Sequence, residues 1–196
     1  MKVIKIEFAK KPDLEKKDFK EINEELKESA WSRRWEYPFV ILNSKSTEFS
    51  KILIAGCKGD KLVDYFLKRK RTIFGVDVSY MAKKNDNFHF YRGDLRNLPY
   101  PNGNMDEIFC ISTLEHITDN PMVGIIEFCR VLKKGGQLIL TIDYNQDPAS
   151  SRRFKTKELK QLCSDLNTKI PEIPKDVLGR KQWPGLSALG IIIVKE

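Results

Sequence analysis

The sequence predicts an α/β fold, a three-layer sandwich with a mostly parallel central sheet and an N-terminal helical cap. Apolar runs of strand length alternate with helix-length stretches through the middle of the chain, which is typical of a parallel sheet covered on both faces. The apolar run at 51–55 breaks into a glycine turn and a helix, and a second apolar run then ends at Asp77. This order predicts one βαβ unit whose turn faces a ligand with its backbone amides.

The length and composition indicate one globular domain. The chain has 196 residues, 41% of them hydrophobic and 32% charged, so a single domain at 1–196 is the most economical division. No apolar run approaches the ~20 residues of a membrane span. The first residues lack the apolar core of a signal peptide, so we expect a cytoplasmic protein. Within the domain we expect an N-terminal helical cap or lid (1–45), a cofactor-binding core (51–143) and a C-terminal helix with a final strand (144–196).

Cysteine spacing and net charge narrow the possible functions. The cysteines at 57, 110, 129 and 163 are scattered, without a C-x-x-C pair or neighbouring histidines. Neither a zinc site nor a disulfide framework is indicated, and we expect no metal site. The formal net charge of +8 is compatible with an anionic partner such as nucleic acid. Because the lysines are dispersed and not interleaved with exposed aromatic residues, a solvated surface is favoured over a dedicated polyanion site.

The N-terminal segment begins with a strand candidate at 2–9, whose place in the sheet is open. A helix is predicted from about Asp18, where Asp18 and Glu21 have capping-box spacing and apolar residues recur at helical intervals. The next stretch, Trp31–Asn43, is unusually aromatic and carries two adjacent arginines.

Two interpretations of Trp31–Asn43 stay open. It is either a cap packed onto the sheet edge or a lid over a cofactor. As a lid, it would use Arg33 or Arg34 to pair with a carboxylate and Trp35 or Tyr37 to stack on a ligand.

The central region supplies most of the predicted strands, each a short apolar run bounded by turn residues. They are Lys51–Ala55, Thr72–Val76, Asn87–Tyr91, Met105–Ser112 and Gln137–Asp143. The predicted helices are Gly59–Lys70, one that starts at Pro121, and one marked by Leu159, Leu162, Cys163 and Leu166. The last predicted strand is Gly190–Lys195. On that side the sheet is either one strand short or completed by residues 2–9.

The βαβ unit predicts a nucleoside-containing cofactor, because a carboxylate at position 77 can accept hydrogen bonds from a ribose diol. The dinucleotide fingerprint G-x-G-x-x-G is absent, since Lys58 and Lys61 occupy its second and third glycine positions. A nucleoside with an amino-acid tail fits the looser turn.

From Ile52 to about Asp143 the chain resembles the class I S-adenosylmethionine-dependent methyltransferases, which have a Rossmann-like fold. Within them it resembles the small methyltransferase-domain type associated with sugar and glycan modification. The resemblance rests on five ordered motifs, namely Ala55–Cys57, Asp77, Gly93–Leu95, Ser112–His116 and Arg130–Gly136. It implies S-adenosylmethionine as the cofactor. The cofactor-binding residues expected are Ala55, Gly56, Cys57, Lys58, Asp77, Val78, Asp94, Leu95, Ser112 and Arg34.

The chain departs from the family at three positions. Many relatives have an acidic residue where this chain has Ile54, and glycines where it has Lys58 and Asp60. The lost acid removes an indirect support for the methionine amino group, whereas Lys58 adds a positive charge that could meet the methionine carboxylate. The altered turn leaves the tightness of cofactor binding open.

His116 is the candidate general base or acceptor-orienting group, because it follows a buried strand at the edge where parallel sheets form their sites. Glu115 is the second candidate. The alternative is that both residues only cap the turn and shape the pocket. Trp35 and Tyr37 are the candidate acceptor contacts.

These observations favour methylation of a hydroxyl on a small molecule or saccharide. An RNA or protein methyltransferase is the alternative enzyme, supported by the net charge and the basic tail Ser151–Lys157. A degenerate, non-catalytic binding subunit is a further alternative, supported by the altered turn. Acceptor recognition is expected from Trp31–Asn43 and Ile170–Leu189, and the sequence does not indicate the oligomeric state.

Overall fold

The computed structural model describes residues 1–117, 120–145, 154–180 and 183–196. The strands are β1 (Lys2–Phe8), β2 (Lys51–Ala55), β3 (Thr72–Asp77), β4 (Phe88–Arg92), β5 (Met105–Ile111), β6 (Leu132–Asn145), β7 (Gly179–Arg180) and β8 (Trp183–Val194). The helices are α1 (Lys17–Leu26), α2 (Arg33–Asn43), α3 (Lys61–Lys68), α4 (Pro121–Val131) and α5 (Thr156–Asp165). Two short 3-10 helices lie at Lys11–Glu15 and Leu114–His116.

The strands form one sheet in the order β1-β8-β6-β5-β2-β3-β4, with β7 paired to β8. Neighbouring strands from β6 to β4 are parallel, whereas β8 runs antiparallel to both β6 and β1. The predicted α/β fold with a mostly parallel sheet is therefore confirmed. Because β1 pairs with β8 at the sheet edge, residues 2–8 fill the position that the sequence left open, and the first strand belongs to the sheet and not to the helical cap.

Hydrophobic cores on the two faces of the sheet produce the three layers. Along β5, Ile108 and Cys110 join the core beneath α4 and α5, whereas Phe109 and Ile111 join the core beneath α2 and α3. This alternation follows from the two-residue repeat of a strand, and both cores need apolar residues because the central strands are covered on both faces.

Helix α2 packs directly on the sheet. A Cβ atom added at Gly190 of β8 would lie 2.6 Å from the Phe39 ring and 2.9 Å from the Trp35 ring. Only a residue without a side chain allows the helix to approach β8 this closely. Trp35 and Phe39 therefore fit the interpretation of Trp31–Asn43 as a cap packed on the sheet.

Several boundaries differ from the prediction for local reasons. Helix α3 is shorter than Gly59–Lys70, because Asp60 caps its N-terminus and Gly59 and Lys70 adopt positive φ angles of 75° and 60°. The predicted capping box at Asp18 is wrong, since α1 begins after Lys16 without a side-chain cap. Strand β6 starts at Leu132, before the predicted start at Gln137, and includes Gly135 and Gly136.

Candidate cofactor site

A cavity of about 490 Å³ opens at the carboxyl ends of β2, β3 and β5. In open parallel sheets this edge is where ligands bind. The lining residues are Gly56, Asp77, Val78, Asp94, Leu95, Arg96, Thr113, His116 and Ile117. Six of the site residues expected from the sequence thus face one cavity: Gly56, Asp77, Val78, Asp94, Leu95 and His116.

The glycine turn after β2 forms the floor of the cavity. Gly56 has a φ of +73°, and a Cβ atom on it would lie 2.3 Å from Thr113 Oγ1. The turn is also tied to β3, since the Gly56 amide donates to the Val76 carbonyl at 2.8 Å. A side chain at this position would have to displace Thr113, so the turn requires glycine.

Asp77 is fixed at the rim of the cavity by two backbone amides. Its Oδ2 accepts from the Lys58 amide at 3.0 Å, and its Oδ1 accepts from the Ser79 amide at 2.8 Å. A carboxylate offers about four lone-pair sites, so both oxygens retain acceptor capacity toward the cavity. The structure places this carboxylate at the tip of the second strand of the βαβ unit, as the sequence predicts.

Asp94 is held by a partner that the sequence analysis did not identify. The Arg96 guanidinium donates to both Asp94 oxygens, at 3.0 Å from Nε and 2.6 Å from Nη2, and lowers the pKa of Asp94. Arg96 also lines the cavity. Because the pair is exposed to solvent, it contributes only ~0–1 kcal/mol, and a ligand could rearrange it at little cost.

Other residues of the expected cofactor set lie away from the cavity lining. Cys57 is buried with its sulfur against Gly75, and burial raises the pKa of its thiol to about 12. Ala55 is buried in the core. Lys58 meets the site through its backbone amide, which donates to Asp77.

Glu115 and His116 follow β5 on the 3-10 helix Leu114–His116 and point in different directions. His116 is exposed and lines the cavity. Glu115 is 8% exposed, its Oε1 accepts from the Asp143 amide at 3.1 Å, and its Oε2 has no hydrogen-bond partner in the described part of the chain. Burial, reinforced by the Asp143 carboxylate, raises the pKa of Glu115 to about 8. Glu115 is therefore mostly protonated at neutral pH and cannot accept a proton there.

Helix α2 contributes a buried glutamate that the sequence analysis missed. Glu36 is 0% exposed, and its Oε1 accepts from Ser112 Oγ at 2.5 Å and from Thr141 Oγ1 at 2.7 Å. Its Oε2 accepts from Arg33 Nη1 at 2.5 Å. The network ties α2 to the end of β5 and to Thr141 within β6, and it turns the Ser112 side chain toward α2. The i,i+3 spacing of Arg33 and Glu36 was the local sequence feature that could have predicted their ion pair.

The two arginines at the start of α2 separate. Arg33 approaches Asp60 of the glycine turn, whose charge acts on its guanidinium, and lies 5.8 Å from the centre of the Tyr37 ring. Arg34 lines a different hollow, next to Asn23, Lys27 and Glu28. The expectation that Arg34 binds the cofactor does not fit this position, because the turn of the helix directs adjacent residues to different sides.

Trp35 and Tyr37 were expected to stack on an acceptor, but the structure places both rings in the interior. Trp35 is 1% exposed, its ring lies 4.7 Å from that of Phe39, and its Nε1 donates to Asp13 at 2.8 Å. Tyr37 is buried, and its hydroxyl accepts weakly from the Lys61 amide at 3.4 Å. Neither ring offers a free face, so packing accounts for both.

The part of the chain that forms this cavity is similar to a known family. Residues 53–140 match the family model described as Methyltransferase domain. This part of the chain, somewhat less than half of its length, is thus similar to a methyltransferase domain. The matched range runs from β2 to β6 and contains every residue that lines the cavity.

A curated relative and two solved structures are also similar to this chain. The relative is a probable S-adenosylmethionine-dependent methyltransferase of Mycolicibacterium smegmatis, 24% identical over 83% of this chain and 66% of its own length. The chain thus spans just under two thirds of that relative.

The two structures share the fold of the methyltransferase domain. One is the Burkholderia thailandensis 1,6-didemethyltoxoflavin-N1-methyltransferase with bound 1,6-didemethyltoxoflavin and S-adenosylhomocysteine (17% identity, 75% of this chain, 71% of that chain, TM-score 0.58). The other is a putative methyltransferase in complex with the Haloferax volcanii Trm112 methyltransferase activator (17% identity, 82% of this chain, 89% of that chain, TM-score 0.60). None of these names refers to a sugar or glycan.

The description of the Mycolicibacterium relative names S-adenosylmethionine, and the cavity residues of this chain fit this molecule. Gly56 lines the cavity without a side chain, and Thr113 fills the space that a Cβ atom on Gly56 would need. Asp77 presents carboxylate oxygens for a vicinal diol, and Val78 and Leu95 supply apolar lining for a base. The described parts of the chain contain no helix long and apolar enough to cross a membrane.

Proposed function

We propose that the chain transfers the methyl group of S-adenosylmethionine to a hydroxyl group of a small molecule or saccharide. The observation that carries the proposal is the single cavity that combines the nucleoside-facing residues Gly56 and Asp77 with His116. Its volume, about 490 Å³, lies in the range of small-molecule sites. The Burkholderia neighbour, which has 1,6-didemethyltoxoflavin bound, supports a small-molecule acceptor.

Methyl transfer needs alignment and, for a hydroxyl acceptor, removal of a proton. The bound cofactor supplies an electrophilic methyl group on a sulfonium. Gly56 and Asp77 would hold the cofactor beside the acceptor, and a ring nitrogen of His116 would accept the acceptor's hydroxyl proton as the methyl group passes to its oxygen and the sulfur keeps the electron pair of the broken bond. We assign the base to His116, because it reaches the cavity and Glu115 is buried and protonated at neutral pH.

His116→Ala tests the role of the base. Turnover should fall by about 10²–10⁴-fold, the usual contribution of a general base, while affinity for S-adenosylhomocysteine stays within twofold. His89→Ala is the matched control, since His89 is exposed on β4 and does not line the cavity. Equal turnover of wild-type protein and His116→Ala would assign His116 a purely structural role.

An RNA or protein acceptor is the second candidate, supported by the net charge of +8. The basic tail Ser151–Lys157 bears on it, but residues 151–153 lie outside the described residues. RNA binding by this route should weaken steeply as salt is raised. Absent or salt-independent binding would remove this candidate, and turnover with any acceptor would remove the non-catalytic alternative.

A further inference from the structure

The loop at 44–50 joins α2 to β2 at the edge of the sheet where the parallel strands begin. This edge is opposite the cofactor cavity, which opens where the same strands end. The tip of the loop is a turn in which the Ser50 amide donates to the Thr47 carbonyl at 3.1 Å. Phe49 lies in this turn and is 86% exposed, the largest exposed fraction among the large hydrophobic side chains of the described residues.

A buried carboxylate anchors this loop to the sheet. Glu107 of β5 is buried, and it accepts from Ser44 Oγ at 2.6 Å and from the Lys45 amide at 2.7 Å. At the other end of the loop, the Lys51 amide donates to Asp106 Oδ2 at 2.8 Å. The exposed ring is thus carried by a loop that is fixed at both ends. Because scattered exposed apolar side chains are common on protein surfaces, the surroundings of the ring decide what its exposure means.

The surroundings of Phe49 are basic. The sheet register brings the start of β2 beside that of β3, since Lys51 pairs with Thr72, and the start of β5 beside that of β6. Eight Lys and Arg side chains and three acids lie on the four chain segments that meet at this edge, which are 44–51, 68–71, 105–107 and 132–136. The exposed lysines of these segments are Lys45, Lys51, Lys68, Lys70, Lys133 and Lys134.

The acids of this edge leave its positive charge in excess. Glu107 is buried, Asp106 pairs with Lys133 at 2.6 Å, and Glu48 is exposed. The sequence predicted dispersed lysines without exposed aromatic residues among them, whereas the structure combines the two at this edge. A positive surface around an exposed aromatic ring is complementary to an anionic partner that can also take up an apolar side chain.

Lysine, and not arginine, supplies the available charge. Arg69 pairs with Glu25 at 2.8 Å, and Arg71 donates to the carbonyls of Arg69 and Ser46. Nucleic-acid recognition favours the planar fork of arginine and uses several aromatic side chains along a groove, but Phe49 is the one aromatic residue on the four segments. A bilayer with anionic headgroups requires only lysines near its surface and an apolar side chain that enters it.

We propose that this edge docks on the surface of a bilayer that contains anionic lipid, with Phe49 inserted at the boundary between headgroups and acyl chains. The exposed lysines then lie at the headgroups, and Leu42, exposed on the last turn of α2, is the second apolar contact. The contact is peripheral, with the apolar side chains reaching ~5–10 Å into the bilayer. It leaves the cofactor cavity at the far edge of the sheet open to solvent, and it does not depend on the reaction proposed above.

The experiment is sedimentation of the full chain with vesicles of phosphatidylcholine alone or with about one third phosphatidylserine, at low and high salt. The first test variant is Phe49→Ser, which should keep the fold because the side chain is exposed, as circular dichroism can check. The second is Lys45→Gln with Lys51→Gln, since the loop contacts of both residues use their backbone amides.

Matched controls change the same types of residue elsewhere. Ile126→Ser removes an exposed apolar side chain from α4. Lys157→Gln with Lys160→Gln removes two exposed charges from α5, which starts beside the far end of β6, where Thr156 contacts Tyr144.

Wild-type protein should bind the anionic vesicles at least tenfold more tightly than those of phosphatidylcholine alone, and binding should weaken as salt is raised. Phe49→Ser should weaken binding at least tenfold, and the double lysine variant about 25-fold, from about fivefold for each lysine. Both controls should stay within about threefold of wild type, because charges beyond a Debye length are screened. Absence of binding to the anionic vesicles, or equal binding by Phe49→Ser and wild type, would overturn the proposal.

A labelled single-stranded oligouridine tests the other anionic partner. Binding of the oligouridine that Phe49→Ser loses, together with no binding to vesicles, would assign the edge to nucleic acid and overturn the membrane contact. Both test variants should bind S-adenosylhomocysteine as wild type does, because the substituted residues lie at the edge opposite the cavity. Failure of this proposal is therefore distinguishable from failure of the proposed methyl transfer.

Discussion

The close approach of Gly56 to Thr113 predicts a large and separable effect of Gly56→Ala. The new Cβ atom would lie 2.3 Å from Thr113 Oγ1 and 2.5 Å from Cγ2, at a backbone φ of +73°. Left-handed backbone costs an alanine ~1–2 kcal/mol, and forcing an extra methyl group into a packed site costs a further ~1–3 kcal/mol. We therefore expect a loss of about 2–5 kcal/mol in the free energy of unfolding.

Gly59→Ala separates the two contributions. Gly59 has a φ of +75°, and a Cβ atom there would meet no atom within 4 Å. This variant should show only the backbone cost, ~1–2 kcal/mol. Adding Thr113→Ala to Gly56→Ala removes both atoms of the closest contact and should recover most of the steric part, relative to Thr113→Ala alone.

Urea denaturation of the single and double variants measures these differences, and titration with S-adenosylhomocysteine reports the effect on the cavity floor. Gly56→Ala should weaken binding more than Gly59→Ala, because only Gly56 lines the cavity. The reasoning is refuted if Gly56→Ala costs no more than Gly59→Ala, or if Thr113→Ala gives no relief.

Three further predictions concern buried polar groups. Glu36→Ala should lower the free energy of unfolding, measured by urea denaturation, by about 3–5 kcal/mol, because it leaves Arg33, Ser112 and Thr141 without their common partner. A loss below about 1 kcal/mol would show that the network is not needed for stability. The pKa of Glu115 is raised above its usual value, to about 8, in the folded protein. Its contribution to the free energy of unfolding is therefore complete below about pH 4 and is lost as the pH rises to about 8. Glu115→Gln should therefore flatten the fall in stability between pH 5 and pH 9, and an unchanged slope would contradict the raised pKa. All four cysteines are buried and form no disulfide, and burial raises the pKa of Cys57 to about 12. A thiol reagent at pH 8 should therefore label them only in urea. Rapid labelling of Cys57 in the native protein would place it at an accessible surface.

Local features of the sequence were sufficient for the βαβ unit. Strand β2 has the predicted bounds, Lys51–Ala55, because an apolar run that breaks at a positive-φ glycine is a signal contained in adjacent residues. Asp77 and Asp94 line one cavity for a similar reason. Asp77 ends one parallel strand and Asp94 follows the next, and parallel strands end at a common edge of the sheet.

Features that depend on distant partners were not predictable in this way. Glu36 contacts Ser112 and Thr141, which are 76 and 105 residues further along the chain. The pairing of β1 with β8 joins the two ends of the chain, so the sequence could leave only two alternatives for residues 2–9. Whether Arg33 or Arg34 lies beside the glycine turn depends on the rotation of α2 about its axis, which is fixed by the packing of Trp35 and Phe39 against Gly190.

The central claim is that the cavity at Gly56 and Asp77 binds S-adenosylmethionine. The most direct test is calorimetric titration of wild-type protein and Asp77→Ala with S-adenosylmethionine and S-adenosylhomocysteine, with circular dichroism to show that the variant is folded and Asp64→Ala as a surface control. We predict binding in the micromolar range for wild-type protein and for the control, and strongly weakened binding for Asp77→Ala. Absence of binding to wild-type protein, or equal affinity in Asp77→Ala, would contradict the claim.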